Sequence, residues 1–235
     1  MKKENVFSRP AMYIAAVVYI FIGYLTIAVK DPLADMLFAE DRYFENMGAF
    51  GFFAASFVFF YGFIRMWKRH STDEYFRIRQ LILLGFALFF FFGGGEEISW
   101  GQRIFNVQTP VALAEINAQE ELNVHNIDLF EFKLKFETLF DLFWMSLTVA
   151  LPLAVMFKKP IRDFADRFFS VPPIGIGLLF VFNYLWAKVS ELMFQGRFAF
   201  TVVPFFQAVQ EIKESNYALL FILVAMAMVW DSSNM

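Results

Sequence analysis

Gln80-Leu81-Ile82-Leu83-Leu84-Gly85-Phe86-Ala87-Leu88-Phe89-Phe90-Phe91-Phe92-Gly93-Gly94-Gly95-Glu96-Glu97-Ile98-Ser99-Trp100 is the stretch that decides how this chain folds. From Leu81 to Gly95 it holds neither a charge nor a proline, and then it meets two glutamates in succession. A helix needs about 20 mainly apolar residues to cross the roughly 30 Å hydrocarbon layer of a bilayer. Residues 80–100 therefore predict a membrane span that ends on an acidic pair. Working outward, residues 11–29, 47–67, 136–157 and 171–193 have the same character. Residues 216–230 are apolar but short. Thr201 and Pro204 supply a start signal before them, and Gln207, Gln210, Glu211 and Glu214 recur at helical spacing on one face. The sixth span is accordingly predicted over 204–230. The expected fold class is all-α: a polytopic integral membrane helix bundle of about six transmembrane helices plus short interfacial helices, forming one domain over residues 1–235.

Composition agrees. The 235 residues are 59% hydrophobic and include 35 phenylalanines, with a mean hydropathy of +0.52, whereas soluble chains hold about 45–50% apolar residues. The absence of cysteine excludes disulfides, thiolate zinc sites, Fe–S clusters and cysteine nucleophiles. No haem site is expected, and any metal would need His and carboxylate ligands. No basic patch interleaved with aromatics suggests nucleic acid. The apolar run from Ala11 to Val29 is too long for the 7–15-residue core of a signal peptide, so it is read as a retained first span.

Lysine and arginine concentrate in cytoplasmic loops. With the N-terminus inside, one side collects twelve of the 20 basic residues, among them Arg65, Lys68, Arg77, Arg79, Lys158, Lys159, Arg162 and Arg167, but only six of the 23 acidic ones. The expected location is a bacterial inner (cytoplasmic) membrane, multi-pass, with both termini cytoplasmic and the acidic end facing the periplasm. Asp31-Pro32 predicts a short interfacial helix with Leu33, Met36 and Leu37 as its apolar edge, and Thr109-Pro110 predicts another. Asp128 and Glu131 have capping-box spacing before the fourth span. Ile161 to Phe169 reads as an amphipathic piece stopped by Pro172-Pro173.

Candidate chemistry collects at the predicted outer end. If the third helix runs on through the glycines, Glu96, Ser99, Trp100 and Arg103 share one face at i, i+3, i+4 and i+7. Gly93-Gly94-Gly95 would let a neighbouring backbone approach closely. The following loop adds Gln102, Gln119, Glu121, Asn123, His125 and Asn126; the fifth span adds Tyr184, Lys188 and Glu191; the sixth adds Glu211 and Glu214; and the fourth adds Glu137 and Asp141. Ionisable groups near a membrane core are costly unless paired, hydrated or functional. Paired, Lys188 would meet Glu191, and a glutamate would meet Arg103. Functional, Glu97 and His125 could bind a divalent metal ion or serve as a general base and acid, with Glu96 beside them and Arg103 holding a phosphate or carboxylate.

The string Gly95-Glu96-Glu97-Ile98-Ser99-Trp100-Gly101-Gln102-Arg103-Ile104-Phe105, then Thr109-Pro110, then Asn117, Gln119, Glu121, Asn123, His125 and Asn126, resembles one found in uncharacterised bacterial polytopic membrane proteins. The resemblance covers about 30 residues and implies a membrane fold without implying an activity. The glutamate-pair and arginine motif of CAAX-type membrane proteases is similar only superficially, because Arg103 lies six residues after Glu97 rather than four. No Gly-x-Ser-Gly string of the rhomboid type occurs. Two functional expectations follow. One is a membrane-embedded hydrolase or transferase, with or without a metal ion, acting on a lipid-like substrate. The other is a non-catalytic subunit of an ion channel, transporter or envelope assembly. Expected partners are membrane lipids, with a homo-oligomer or a membrane-protein partner in the second case. Conduction ranks below a one-sided site, because spans one and two and the inner half of span three are almost purely apolar.

Overall fold

A computed structural model describes residues 10–30, 32–39, 42–69, 71–102, 104–115, 122–123, 136–197 and 203–231. Six helices in it are long and apolar enough to cross a membrane, and the chain is a multi-pass all-α membrane protein. The elements are α1 (Pro10–Leu25, tightening into a 3-10 turn at Thr26–Ala28), α2 (Leu33–Phe38), α3 (Tyr43–Trp67), α4 (Phe76–Glu97), α5 (Val111–Ala114), α6 (Phe136–Met145), α7 (Leu151–Phe157), α8 (Lys159–Phe168), α9 (Ile174–Phe194) and α10 (Phe205–Asp231). A π turn at Ser146–Ala150 joins α6 to α7 into one span. Pro152 has no N–H to give the Thr148 carbonyl one turn back, which is a common origin of such a bulge. Gly177 of α9 packs directly against that Thr148 carbonyl.

The sixth span is the centre of the bundle. Of the apolar stretch of α10, 72% is buried, against 17% for α1. A helix that is buried on every side needs close neighbours, and small residues supply them. At Gly51 of α3 the backbone of α10 at Ala218 lies so near that a Cβ would stand 2.6 Å from the Ala218 carbonyl carbon, and Gly62 meets Val229 in the same seam. α3 also packs along α4, where the Ser56 hydroxyl donates to the Ala87 carbonyl at 2.7 Å. Inside the packing, Phe90 and Phe221 have ring centroids 4.7 Å apart, and Phe180 and Phe221 4.9 Å. Much of the phenylalanine content is therefore core, and much of the rest, such as Phe57, Phe89 and Phe91, faces outward.

The glycine triplet has a different use from the one expected. Gly93, Gly94 and Gly95 receive aromatic rings rather than a helix backbone: Phe52 and Phe53 from α3 and Trp100 from beyond the helix end. α4 also stops at Glu97, so Ser99 and Trp100 do not continue the helical face of Glu96, and Arg103 lies outside the described residues. Ser99, Trp100 and Gly101 have φ of 45°, 55° and 74° and make a left-handed turn.

At the basic end, arginines terminate helices. Arg79 of α4 donates to the carbonyls of Asp166 and Arg167 at 3.2 and 2.8 Å and pairs with Asp73 at 2.9 Å. Arg162 donates to the carbonyls of Val155 and Met156 at the end of α7. Cations belong at these sites because helix C-termini present unpaired carbonyls and a partial negative charge. The amphipathic piece read from Ile161 to Phe169 is α8 from its third residue to its C-cap. The interfacial helix expected near Asp31-Pro32 is α2, with Leu33 and Met36 exposed; Asp31 itself lies outside the described residues, as do Asp128 and Glu131. The second interfacial helix appears as α5, whose start follows Pro110.

Candidate functional site

The ends of α1, α4 and α9 and the beginnings of α3, α6 and α10 meet at the acidic end of the bundle. α4 delivers Glu97 against the first turns of α3, where a Cβ on Gly48 would stand 2.7 Å from Glu97 Oε2. Only glycine leaves that place to a carboxylate. Glu45, Glu96, Glu211 and Glu214 all lie close enough to act electrostatically on Glu97. Of the expected group, Glu96, Glu211 and Glu214 thus lie within electrostatic reach of Glu97, on two helices that are far apart in sequence. Glu45 was not singled out in the sequence, where it follows the charged run Glu40-Asp41-Arg42 just ahead of an apolar span.

The left-handed turn after Glu97 is tied down by polar side chains that the sequence did mark. The Trp100 indole donates to Glu96 Oε1 at 2.6 Å. Asn123 Nδ2 donates to Ser99 Oγ at 3.2 Å. Gln102 donates to Thr109 Oγ1 at 2.6 Å and accepts from the Leu122 amide at 2.7 Å. A non-glycine residue in the left-handed region costs about 1–2 kcal/mol, and such strain persists only where surrounding contacts over-determine it. These bonds and the Trp100 ring, seated on Gly95 and edge-on to Phe92 at 5.3 Å, do so here.

A second polar cluster lies deeper. The Tyr24 hydroxyl of α1 donates to Asn183 Oδ1 at 3.1 Å, Asn216 Nδ2 of α10 donates to the same oxygen at 3.0 Å, and Asn183 Nδ2 donates to the Lys213 carbonyl at 2.9 Å. All three side chains are buried. Asn183, one position before Tyr184 on its helix, holds α1, α9 and α10 together. Tyr24, Asn216 and the buried Lys213 were missed, although a polar side chain inside an apolar span is the signal for such a contact. Nearby, Lys188 pairs with Glu191 at 2.9 Å, as the structural alternative expected, and Gln210 donates to Glu191 at 3.3 Å. Asp141 accepts the buried Trp144 indole at 2.8 Å.

Arg103, Gln119, Glu121, His125 and Asn126 lie outside the described residues, as does the side chain of Glu137. The expected nearness of Glu97 and His125 therefore falls outside what is described. Among the described residues, no three His, Asp or Glu side chains converge as metal ligands. What the described site can offer is a group of carboxylates at a helix junction, capable of accepting a proton or attracting a cationic group, beside a rigid turn whose tryptophan reaches the surface. Comparison with protein families, curated proteins and solved structures finds no match to this chain.

Proposed function

We propose that this chain is a membrane-embedded hydrolase or transferase that works on a lipid-like substrate from one end of its helix bundle. In this reading the protein sits in a bacterial inner membrane with its acidic end toward the periplasm and both termini in the cytoplasm. The observation that supports it is the seating of the Glu97 carboxylate between α3 and α4, among four other glutamates and directly before a strained turn. Strain and partly sheltered carboxylates are costly and gather where chemistry is done. Glu97 would take a proton from water or a substrate hydroxyl as that oxygen attacks an ester or phosphoryl centre. Arg103 would hold the substrate's phosphate or carboxylate, and His125 would return a proton to the leaving group. The test is incubation of the purified protein in nanodiscs of bacterial lipid extract, followed by mass spectrometry of the lipids. Conversion of a lipid species by wild type and by Lys158→Gln, but not by Glu97→Gln, is the expected result. A lipid profile that wild type leaves unchanged sinks the catalytic reading.

One observation favours the other reading, a non-catalytic subunit of a membrane assembly. Glu96, Ser99 and Gln102 spend hydrogen bonds on Trp100, Asn123, Thr109 and Leu122, as they would in a structural knot that presents a fixed surface. Crosslinking in native membranes separates the two: an unaltered lipid profile together with a stoichiometric partner, lost in Gln102→Ala, supports the assembly.

A further inference from the structure

The described residues between Ile98 and Val111 carry much exposed apolar surface for a segment that follows a membrane helix. Part of their hydrogen-bonding capacity is turned inward, while the side chains of Asn106 and Gln108 are exposed. The Gly101 amide donates to the Ile98 carbonyl at 2.8 Å, Gln102 to Ser99 at 3.0 Å, Phe105 to Gly101 at 2.9 Å and Val107 to Gln102 at 2.9 Å, while the Gln102 side chain joins Thr109 to Leu122. The apolar side chains point outward. Trp100 is 41% exposed, Ile104 and Phe105 74% each, Val107 49% and Val111 75%. The loop at the basic end is the reverse: between Lys68 and Glu74 its described side chains are Lys, Arg, Ser, Thr, Asp and Glu, all exposed.

We propose that the turn from Trp100 to Val111 is a lipid-seated wedge, in which Trp100, Ile104, Phe105, Val107 and Val111 contact acyl chains and the headgroup boundary rather than water. Three features carry this. Backbone in a water-poor layer must satisfy its N–H and C=O groups internally, and the four amide bonds above do part of that within the turn. The exposed side chains continue the lipid-facing row of α4, formed by Leu88, Phe89, Phe91 and Phe92, with Trp100 edge-on to Phe92 as the link. Tryptophan at the end of a span, with its N–H directed to a polar acceptor, suits the membrane–water interface. An apolar surface of this kind on a water-exposed loop would instead mark an unfilled protein contact. The wedge does not depend on the catalytic reading, since it concerns where the turn sits and not what the glutamates do.

The absence of native cysteine makes the test direct. Spin labels are placed singly at Ile104→Cys, Phe105→Cys and Val107→Cys in protein reconstituted into liposomes. Leu88→Cys is the lipid-facing reference and Ser71→Cys the aqueous one. Collision with oxygen is expected to match the Leu88 reference, and collision with a water-soluble nickel chelate to drop to that same reference. Nickel collision at the Ser71 level overturns the proposal. Low collision with both reagents also overturns it and points to a second copy or a partner protein on this surface. The unsubstituted protein supplies an independent measurement: a photoactivatable lipid carrying its diazirine on the acyl chain should label residues 100–111, and a peptide map without label there overturns the wedge.

Discussion

A series of single glycine-to-alanine substitutions separates what each close approach contributes, because the change in chemistry is the same at every position. Alanine is favoured over glycine in a helix by about 1 kcal/mol. At Gly85 of α4 an added Cβ meets nothing within 4 Å, so Gly85→Ala should stabilise the protein by about that amount. At Gly51 the same Cβ would stand 2.6 Å from the Ala218 carbonyl carbon and 2.8 Å from the Leu219 nitrogen. Both are backbone atoms of the central helix and cannot rotate away, so α3 and α10 must move apart. Overpacking of this kind costs about 1–3 kcal/mol, and the difference between Gly51→Ala and Gly85→Ala should therefore be about 2 kcal/mol or more. Gly177→Ala, aimed at the Thr148 carbonyl, should fall with Gly51 or below it. Gly48→Ala meets the end of the Glu97 side chain instead. That carboxylate can swing aside, so stability should stay within about 1 kcal/mol of wild type while whatever depends on Glu97 is lost. Reversible unfolding in mixed micelles by titration with dodecyl sulfate, followed by far-ultraviolet circular dichroism, measures all four. Equal shifts at Gly51 and Gly85 would refute the seam between α3 and α10 on which the bundle is built.

Other perturbations test other joints. Asn183→Ala removes the shared partner of Tyr24 and Asn216 and should destabilise the bundle by about 0.6–2 kcal/mol, the span found for polar contacts between membrane helices, in the same unfolding assay. Asn106, exposed at φ 51°, gives a backbone test: Asn106→Ala should cost about 1 kcal/mol relative to Asn106→Gly, and equal stability of the two would count against the left-handed geometry. Arg79→Gln deletes the ion pair to Asp73 and loosens the grip on the last carbonyls of α8; faster protease cleavage around residues 168–173 than in wild type is expected, and unchanged cleavage would show that α8 is held by its apolar face alone. Trp100→Phe keeps an aromatic ring over Gly95 but loses the bond to Glu96, and should cost about 1 kcal/mol.

What could be read directly from the chain was set by hydrocarbon thickness and by charge. Five runs of sufficient length and a shorter sixth, a wholly apolar stretch from Leu81 to Gly95 and a cluster of arginine and lysine around residues 65–79 and 158–167 follow from the energy of putting residues into lipid, which depends mainly on local composition. The backward extension of the sixth span was legible for the same reason, since its glutamines and glutamates keep helical spacing. The pairing of Lys188 with Glu191 was legible because residues three apart face each other on a helix. The tertiary structure decided the rest. That Gly93–Gly95 receive rings while Gly51 receives a backbone depends on which neighbour each helix face meets, and no local pattern distinguishes the two. That α4 ends at Glu97 in a left-handed turn runs against the preference of Ser99 and Trp100. The turn is held by Glu96, Thr109, Leu122 and Asn123, so its stability arises from contacts spread over more than one segment. The central place of α10 and the meeting of Glu45, Glu97, Glu211 and Glu214 likewise come from packing, because lipid sorts residues by depth and only side-chain fit sorts helices around an axis.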